Sequence, residues 1–301
     1  MSFRIAQFFL QISRPLYLIS NILVYALGVG IARYLGEPLD IGNYLLGQFW
    51  TLTLQLGGHF LAAYFLLDVH PRQPDRIIIS KDNNGSNESI RKDVLLWAAF
   101  AAFAAMTSIT LMLIRTNVSV AVLVVMGLIF LGTIFYSLPP LQLARTGYGE
   151  ITLSLLMANL VPALAFLLHA DGLHRLVAVS TFPLTMLHLA MLLAIQFPEY
   201  LEDVKQQKGT ILVRLGWQRG MILHNLLVLS AFVLIGAAML VVLPSPVGMT
   251  AFFVFPLGLF QVWYMTRINA GAKPIWRLLT YNAIFTFGLT AYLLAFGFWT
   301  R

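Results

Sequence analysis

Nine runs of mostly apolar residues make up most of this chain: 15–34, 43–67, 94–113, 118–136, 150–169, 176–197, 221–243, 247–265 and 278–299. They carry almost no charge, and about 20 such residues are what an α-helix needs to cross the hydrocarbon core of a bilayer. Only 10% of the 301 residues are charged and 59% are hydrophobic, whereas a soluble domain carries about 25% charged residues. There is too little charge to cover a soluble surface, which excludes soluble enzymes, coiled coils, collagen-like chains and disordered chains. The ~10-residue alternation of a membrane β-barrel is also missing from the runs. The pattern predicts a single all-α integral membrane domain over residues 1–301, with nine transmembrane helices.

The charges assign sides to that pattern. Nine spans place successive loops on opposite faces, and 15 of the 19 basic residues fall on one face. The other face holds only Arg33, Arg115, Arg175 and Arg301. Basic residues concentrate on the cytoplasmic side, so the N-terminus and the long polar loops are expected in the cytoplasm, the C-terminus outside, and the chain in the cell (inner) membrane. The net charge of +7 then reflects topology, and no nucleic-acid partner is implied. The absence of cysteine removes thiolate metal sites and cysteine nucleophiles. Residues 2–12 place Phe3, Ile5, Phe8, Phe9 and Ile12 near one helical face, as an interfacial helix before the first span would. The longest loop, 69–92, contains the polar tract KDNNGSNES and reads as irregular chain.

Three loops on the basic face carry the residues able to do chemistry. In PEYLEDVKQQKGTILVRLG, Pro198 to Gly216, Glu199 and Asp203 stand four apart and share a face if helical. Two such carboxylates suit Mg2+, which takes one or two protein carboxylates together with substrate phosphates. Lys208 and Arg214 follow and would suit a diphosphate; a solvated charged loop explains the same spacing. In YSLPPLQLARTGYGE, Tyr136 to Glu150, Pro139-Pro140 ends the preceding helix, and Arg145 is either an anion ligand or an interfacial anchor. In AAYFLLDVHPRQPDR, Ala62 to Arg76, Asp68 stands where an apolar helix meets water, a position that marks either a functional acid or the membrane boundary. His59 and His188 read as hydrogen-bonded core residues, and Asn159 and Asn282 as bridges between helices.

Taken together these segments resemble the UbiA-type intramembrane prenyltransferase superfamily over almost the whole chain. The resemblance rests on Ser13-Arg14-Pro15 entering the first span, on YSLPP…GYGE after the fourth, on the nine-helix count, and on Glu199, Asp203, Lys208, Thr210 and Arg214, which are similar to the family's second aspartate-rich motif. The first aspartate-rich motif is where the chain departs. Alignment through Tyr64-Phe65 puts Ala62 and Ala63 where the family has Asn-Asp, Leu66 at the next Asp and His70 at the last. The resemblance implies a helical bundle around a central cavity and Mg2+-dependent transfer of a prenyl group, from an allylic prenyl diphosphate to an aromatic or quinone-precursor acceptor soluble in the lipid. It implies metal ligation by Glu199 and Asp203, with Asp68 and Asp75 as the acids available on the other side, and a catalytic role for Asp68, Glu199 and Asp203. It further implies diphosphate binding by Arg14, Arg72, Tyr136, Arg145, Lys208 and Arg214. A membrane terpene cyclase acting on the same diphosphate and a non-catalytic paralogue fit the altered first motif as well.

Overall fold

A computed structural model describes residues 3–67, 69–70, 73–81 and 87–301, with the backbone alone for residues 3–4, 69–70, 73–76, 78–81 and 87–89. Asp68 and Arg72 lie outside the described residues, as does the side chain of Asp75.

A backbone in hydrocarbon finds no water, so each N–H and C=O must be satisfied within its own segment; the apolar runs accordingly form helices. They are α1 (Phe3–Ser13), α2 (Pro15–Tyr34), α3 (Ile41–Leu66), α4 (Asp93–Arg115), α5 (Val120–Ser137), α6 (Gly149–Leu155), α7 (Val161–Leu167), α8 (Arg175–Gln196), α9 (Tyr200–Lys205), α10 (Ile211–Leu215), α11 (Trp217–Val241), α12 (Ser245–Phe252), α13 (Phe255–Asn269) and α14 (Trp276–Trp299). Among the described residues, eight helical stretches are long and apolar enough to cross a membrane. The remaining run forms α3, which is 26 residues long but carries Asn43, Gln48, Gln55 and His59. α6 and α7 are joined by a π turn, Leu156–Leu160, just before Pro162, whose missing N–H interrupts the regular ladder.

The bundle has two distinct ends. Arg14, Tyr136 and Ser137 border one cavity, so the start of α2 and the end of α5 lie at the same end. At the other, residues 38–40, 116–119 and 167–171 meet around a second hollow. Trp299 donates to the Ala26 carbonyl at 2.8 Å, and Arg33 lies over its ring at 5.3 Å, placing the C-terminal helix end away from Arg14. Close helix approach is bought with small residues, as expected where no hydrophobic drive separates helix from lipid. A Cβ on Gly28 would collide with the Pro162 carbonyl oxygen, and one on Gly47 with the Tyr25 hydroxyl and Leu168.

One departure from an all-helical reading is the loop between α3 and α4. It forms a small antiparallel sheet, β1 (Val69–His70), β2 (Gln73–Lys81) and β3 (Asn87–Arg91), in that order, with Ile77 opposite Ile90. Three consecutive β-branched residues, Ile77, Ile78 and Ile79, favour strand. Ile77 is buried with Phe60, Leu61, Leu95 and Ala99, and Phe8, Phe9 and Ile12 of α1 pack on the same cluster. The apolar face expected for the N-terminal helix thus lies against protein, where Phe9 meets Phe60 edge to face at 5.9 Å.

Replacing Gly28 by valine forces α2 from α7. Overpacking of this kind costs about 1–3 kcal/mol, so the thermal midpoint of Gly28→Val in detergent should fall clearly below wild type; an unchanged midpoint would show that the helices are not this close.

Candidate active site

The residues with chemistry gather at the Arg14 end. Arg14 links α1 to α2 with φ of +49°, a sparsely populated conformation for a non-glycine residue. Pro15, at the first position of α2, keeps Arg14 from continuing the right-handed helix of α1. The turn carries the guanidinium over the ring of Tyr17, 5.8 Å from its centroid. Arg14 and Tyr136 border the same cavity, so the start of α2 and the end of α5 converge there.

Glu199 and Asp203 differ in environment. A 3-10 turn, Phe197–Glu199, separates α8 from α9, leaving Glu199 exposed and Asp203 buried. The Asp203 side chain is 5% exposed and accepts from Lys208 Nζ at 3.0 Å, while the Lys208 N–H bonds the Asp203 carbonyl at 2.9 Å. The sequence spacing gave the two carboxylates equal standing; the structure gives Asp203 a fixed partner and Glu199 an open position.

Arg145 and Arg214 sit together in a different way. The Gly209 N–H donates to the Arg145 carbonyl at 2.9 Å, Arg214 Nε donates to the Gly209 carbonyl at 2.9 Å, and the Arg214 guanidinium lies over Tyr148 at 5.6 Å. Gly147 and Gly209 have little room for a side chain against these groups. Both arginines brace the α5–α6 loop against the α9–α10 loop, and both remain exposed.

The same two loops are tied by Glu150, a residue for which the sequence reading gave no role. Its Oε1 accepts from Gln196 Nε2 at 2.5 Å and from the Ile211 N–H at 3.3 Å, and its buried Oε2 has no partner among the described residues. The signal was present: an acid in the first turn of an apolar run is a functional candidate by default. His188, read from sequence as a core residue, is hydrogen-bonded to Ser154 at 3.0 Å. Asn159 bridges to Thr181 at 3.2 Å, as expected, whereas Asn282 pairs with Thr286 on its own helix.

Beneath this cluster runs a cavity of ≈ 60 Å³, measured as space open to the centre of a water molecule. Its lining includes Arg14, Tyr136, His59 and Gln55 together with Ile129, Leu153, Leu156 and Met157. The Leu156–Leu160 π turn forms part of that lining. Whether the residues present suit Mg2+ can be judged from the donors. Glu199 and Asp203 supply the carboxylates that one Mg2+ needs when phosphates and water complete its shell, and Lys208 engages one Asp203 oxygen only. On the α3 side, Ala62, Ala63 and Leu66 offer no ligand. Among the described residues no group of three or more possible ligands is brought together, so such an ion would draw most of its shell from substrate phosphates and water.

No protein-family model matches the chain, and it has no match among curated proteins. Solved structures do match. A UbiA homologue from Archaeoglobus fulgidus bound to Cd2+ is 14% identical, with a TM-score of 0.63 over 95% of this chain and 99% of that one. A UbiA homologue from Aeropyrum pernix K1 is 12% identical, with a TM-score of 0.64 over 93% and 96%. A structure of digeranylgeranylglyceryl phosphate synthase is 12% identical, with a TM-score of 0.62 over 98% and 99%. This chain therefore has the fold of the UbiA-type intramembrane prenyltransferases, an integral membrane bundle of helices.

Removing Lys208 leaves a buried carboxylate without its cation. Because Lys208 is one-third exposed, a loss of about 1–3 kcal/mol is expected for Lys208→Ala. The double variant Asp203→Asn/Lys208→Ala should recover part of it. Equal midpoints for wild type and Lys208→Ala, measured by thermal denaturation, would mean the pair contributes nothing.

Proposed function

We propose that the protein is an intramembrane prenyltransferase. It moves a prenyl group from an allylic prenyl diphosphate to an aromatic or quinone-precursor acceptor, using Mg2+, at the cytoplasmic side of the cell membrane. The observation that carries this reading is Arg14 and Tyr136 bordering a largely apolar cavity, at the end of the bundle where the loop carrying the Asp203–Lys208 pair is tied to the loop after α5. The fold supports it: the Archaeoglobus homologue of the same fold is known bound to GPP and Mg2+, at 16% identity and a TM-score of 0.60 over 98% of this chain.

The chemistry assigned to each group follows from charge. In the transfer, the bond from the prenyl C1 to the diphosphate oxygen breaks and the diphosphate departs with the electron pair. An acceptor carbon bonds C1, and its proton passes to the departing diphosphate. Negative charge grows on the leaving group, so cations fixed beside it stabilise the transition state more than the ground state. Arg14 and Lys208 take that role, with Arg145 and Arg214 as further basic groups of the mouth, Tyr136 as a hydrogen-bond donor, and Arg72 as a further basic residue in sequence. Glu199 and Asp203 would hold one Mg2+, with Asp68 and Asp75 as the acids nearest in sequence to the altered first motif. When bound, Mg2+ supplies positive charge to the leaving diphosphate. Ile129, Leu153, Leu156 and Met157 exclude water from the carbon that loses it.

The apolar residues at 62, 63 and 66 favour one competing reading, a membrane terpene cyclase that ionises the same diphosphate and needs no acceptor. Pyrophosphate release from an allylic diphosphate, with Mg2+ and with or without acceptor, separates the two. Acceptor-dependent release is expected; release without acceptor supports the cyclase, and no release the non-catalytic paralogue. Asp203→Asn should lower the rate by about 10²–10³-fold, and activity within twofold of wild type would remove Asp203 from the site. Asp68→Asn should raise the Mg2+ requirement; if Arg72→Ala is severe and Asp68→Asn mild, guanidinium charge stands in for metal charge.

The basic-residue distribution makes a topological prediction as well. A reporter after Lys92 or Gln207 should read cytoplasmic and one after Arg301 external; a cytoplasmic C-terminus would overturn the assigned sides.

A further inference from the structure

Helix α3 carries His59, Gln55, Thr51 and Gln48 on one face, a polar stripe about 16 Å long at 1.5 Å per residue. It faces Asn21 of α2, and all but Gln48 of this set border the cavity. Both ends of the stripe have side-chain hydrogen bonds, although Gln48 Oε1 has no partner among the described residues. At the mouth, His59 Nδ1 donates to the Ser13 carbonyl at 3.0 Å. Deeper in, Asn21 Oδ1 accepts from Gln48 Nε2 at 3.1 Å and from Thr51 Oγ1 at 2.9 Å. Between them, Gln55 is different: both its Oε1 and its Nε2 are shut off from solvent and have no hydrogen-bond partner among the described residues.

A buried amide left in that state is costly, about 1–3 kcal/mol for each unsatisfied group. Packing alone would not call for an amide here, because the cavity is also lined by Leu54, Ile129, Leu153, Leu156, Met157 and Val161. We propose that Gln55 is a specificity-determining residue that hydrogen-bonds a hydroxyl or carbonyl of an uncharged acceptor, one helical turn below His59. This inference rests on the prenyl-transfer reading and names its second substrate class.

The chemistry of the cavity sets that class. A primary amide offers two donors and one acceptor without charge, which matches a phenol, a quinol or an alcohol. A purely hydrocarbon occupant would leave the amide bare. A carboxylate beside Gln55 would lie buried without a counter-ion, because among the described residues Arg14 is the one cationic side chain bordering the cavity and it is assigned to the diphosphate. The acceptor therefore has an apolar body against Leu153 and Met157, a polar neutral group at Gln55, and no acid.

The test uses the full chain in lipid nanodiscs with three probes: 1-naphthol, naphthalene and 4-hydroxybenzoate. Binding is read by tryptophan fluorescence against empty nanodiscs, with no diphosphate present. Wild type should bind 1-naphthol more tightly than 4-hydroxybenzoate. Gln55→Leu should weaken 1-naphthol by up to about tenfold, the net worth of a hydrogen bond, and leave naphthalene equal or tighter. Gln55→Met serves as the second apolar variant if Gln55→Leu does not purify as a folded monodisperse protein. Equal binding of 1-naphthol by wild type and the apolar variants would mean that water alone occupies the site and would overturn the proposal, as would tighter binding of 4-hydroxybenzoate. Binding of GPP with Mg2+ to wild type is measured separately. Its failure would count against prenyl transfer, whereas its success beside an indifferent Gln55 would remove this inference alone.

Discussion

The constraint on which the rest depends is that hydrocarbon cannot hydrogen-bond. A polar atom inside the bundle must find a partner in the protein or in what the protein binds. Most do. Trp50 reaches Thr110 at 2.8 Å, His224 pairs with Gln261 at 2.7 Å, and serine and threonine hydroxyls return to carbonyls of their own helices, as Thr290 does to Thr286. Against that background there are exceptions among the described residues: Gln55, Glu150 Oε2, His188 Nε2 and Gln196 Oε1, and also Asn43 Oδ1, Gln48 Oε1, His169, Ser180 Oγ and Gln261 Oε1, so they occur at both ends of the bundle. Where the membrane charges most for polarity, the chain keeps polar groups with spare bonding capacity.

The helices were legible because their signal is coarse. A run of about 20 uncharged residues survives errors of a few positions, and α2, α4 and α5 begin and end within two residues of the sequence runs. The α3–α4 loop was not legible by the same means. Its composition is polar, and only Ile77, Ile78 and Ile79 mark strand; a three-residue signal is outweighed in any window long enough to find a helix. α3 was legible as a span, but the meaning of its polar residues was not. Gln48, Thr51, Gln55 and His59 follow helical spacing, yet only α2, supplying Asn21 from 27 residues away in sequence, shows which of them are satisfied.

The site divides along the same line. Arg14, Tyr136, Asp203 and Lys208 could be named from local motifs, because short motifs place their own members close together. What a motif cannot supply is the environment. Spacing of four gives Glu199 and Asp203 one face, and the 3-10 turn at Phe197–Glu199 gives them different exposures. Glu150 was invisible as a partner of Ile211 because 61 residues separate them. Arg145 and Arg214 both looked like anion ligands from charge alone, and the Gly209 backbone between them makes them braces of the mouth as well.

The altered α3 side changes the electrostatics of that mouth in a definite direction. Acids at 62, 63 and 66 would repel a diphosphate until divalent cations neutralised them. With alanine and leucine there, the described groups around the mouth are Arg14, Arg145, Lys208 and Arg214 against Glu150, Glu199 and Asp203. One of those acids, Asp203, is already paired with Lys208, and another, Glu150, is turned into the loop contacts. Glu199 is the acid left open. Under the proposed function, a trianionic headgroup would meet a surface that attracts it before any metal binds, and fewer cations would suffice to hold it.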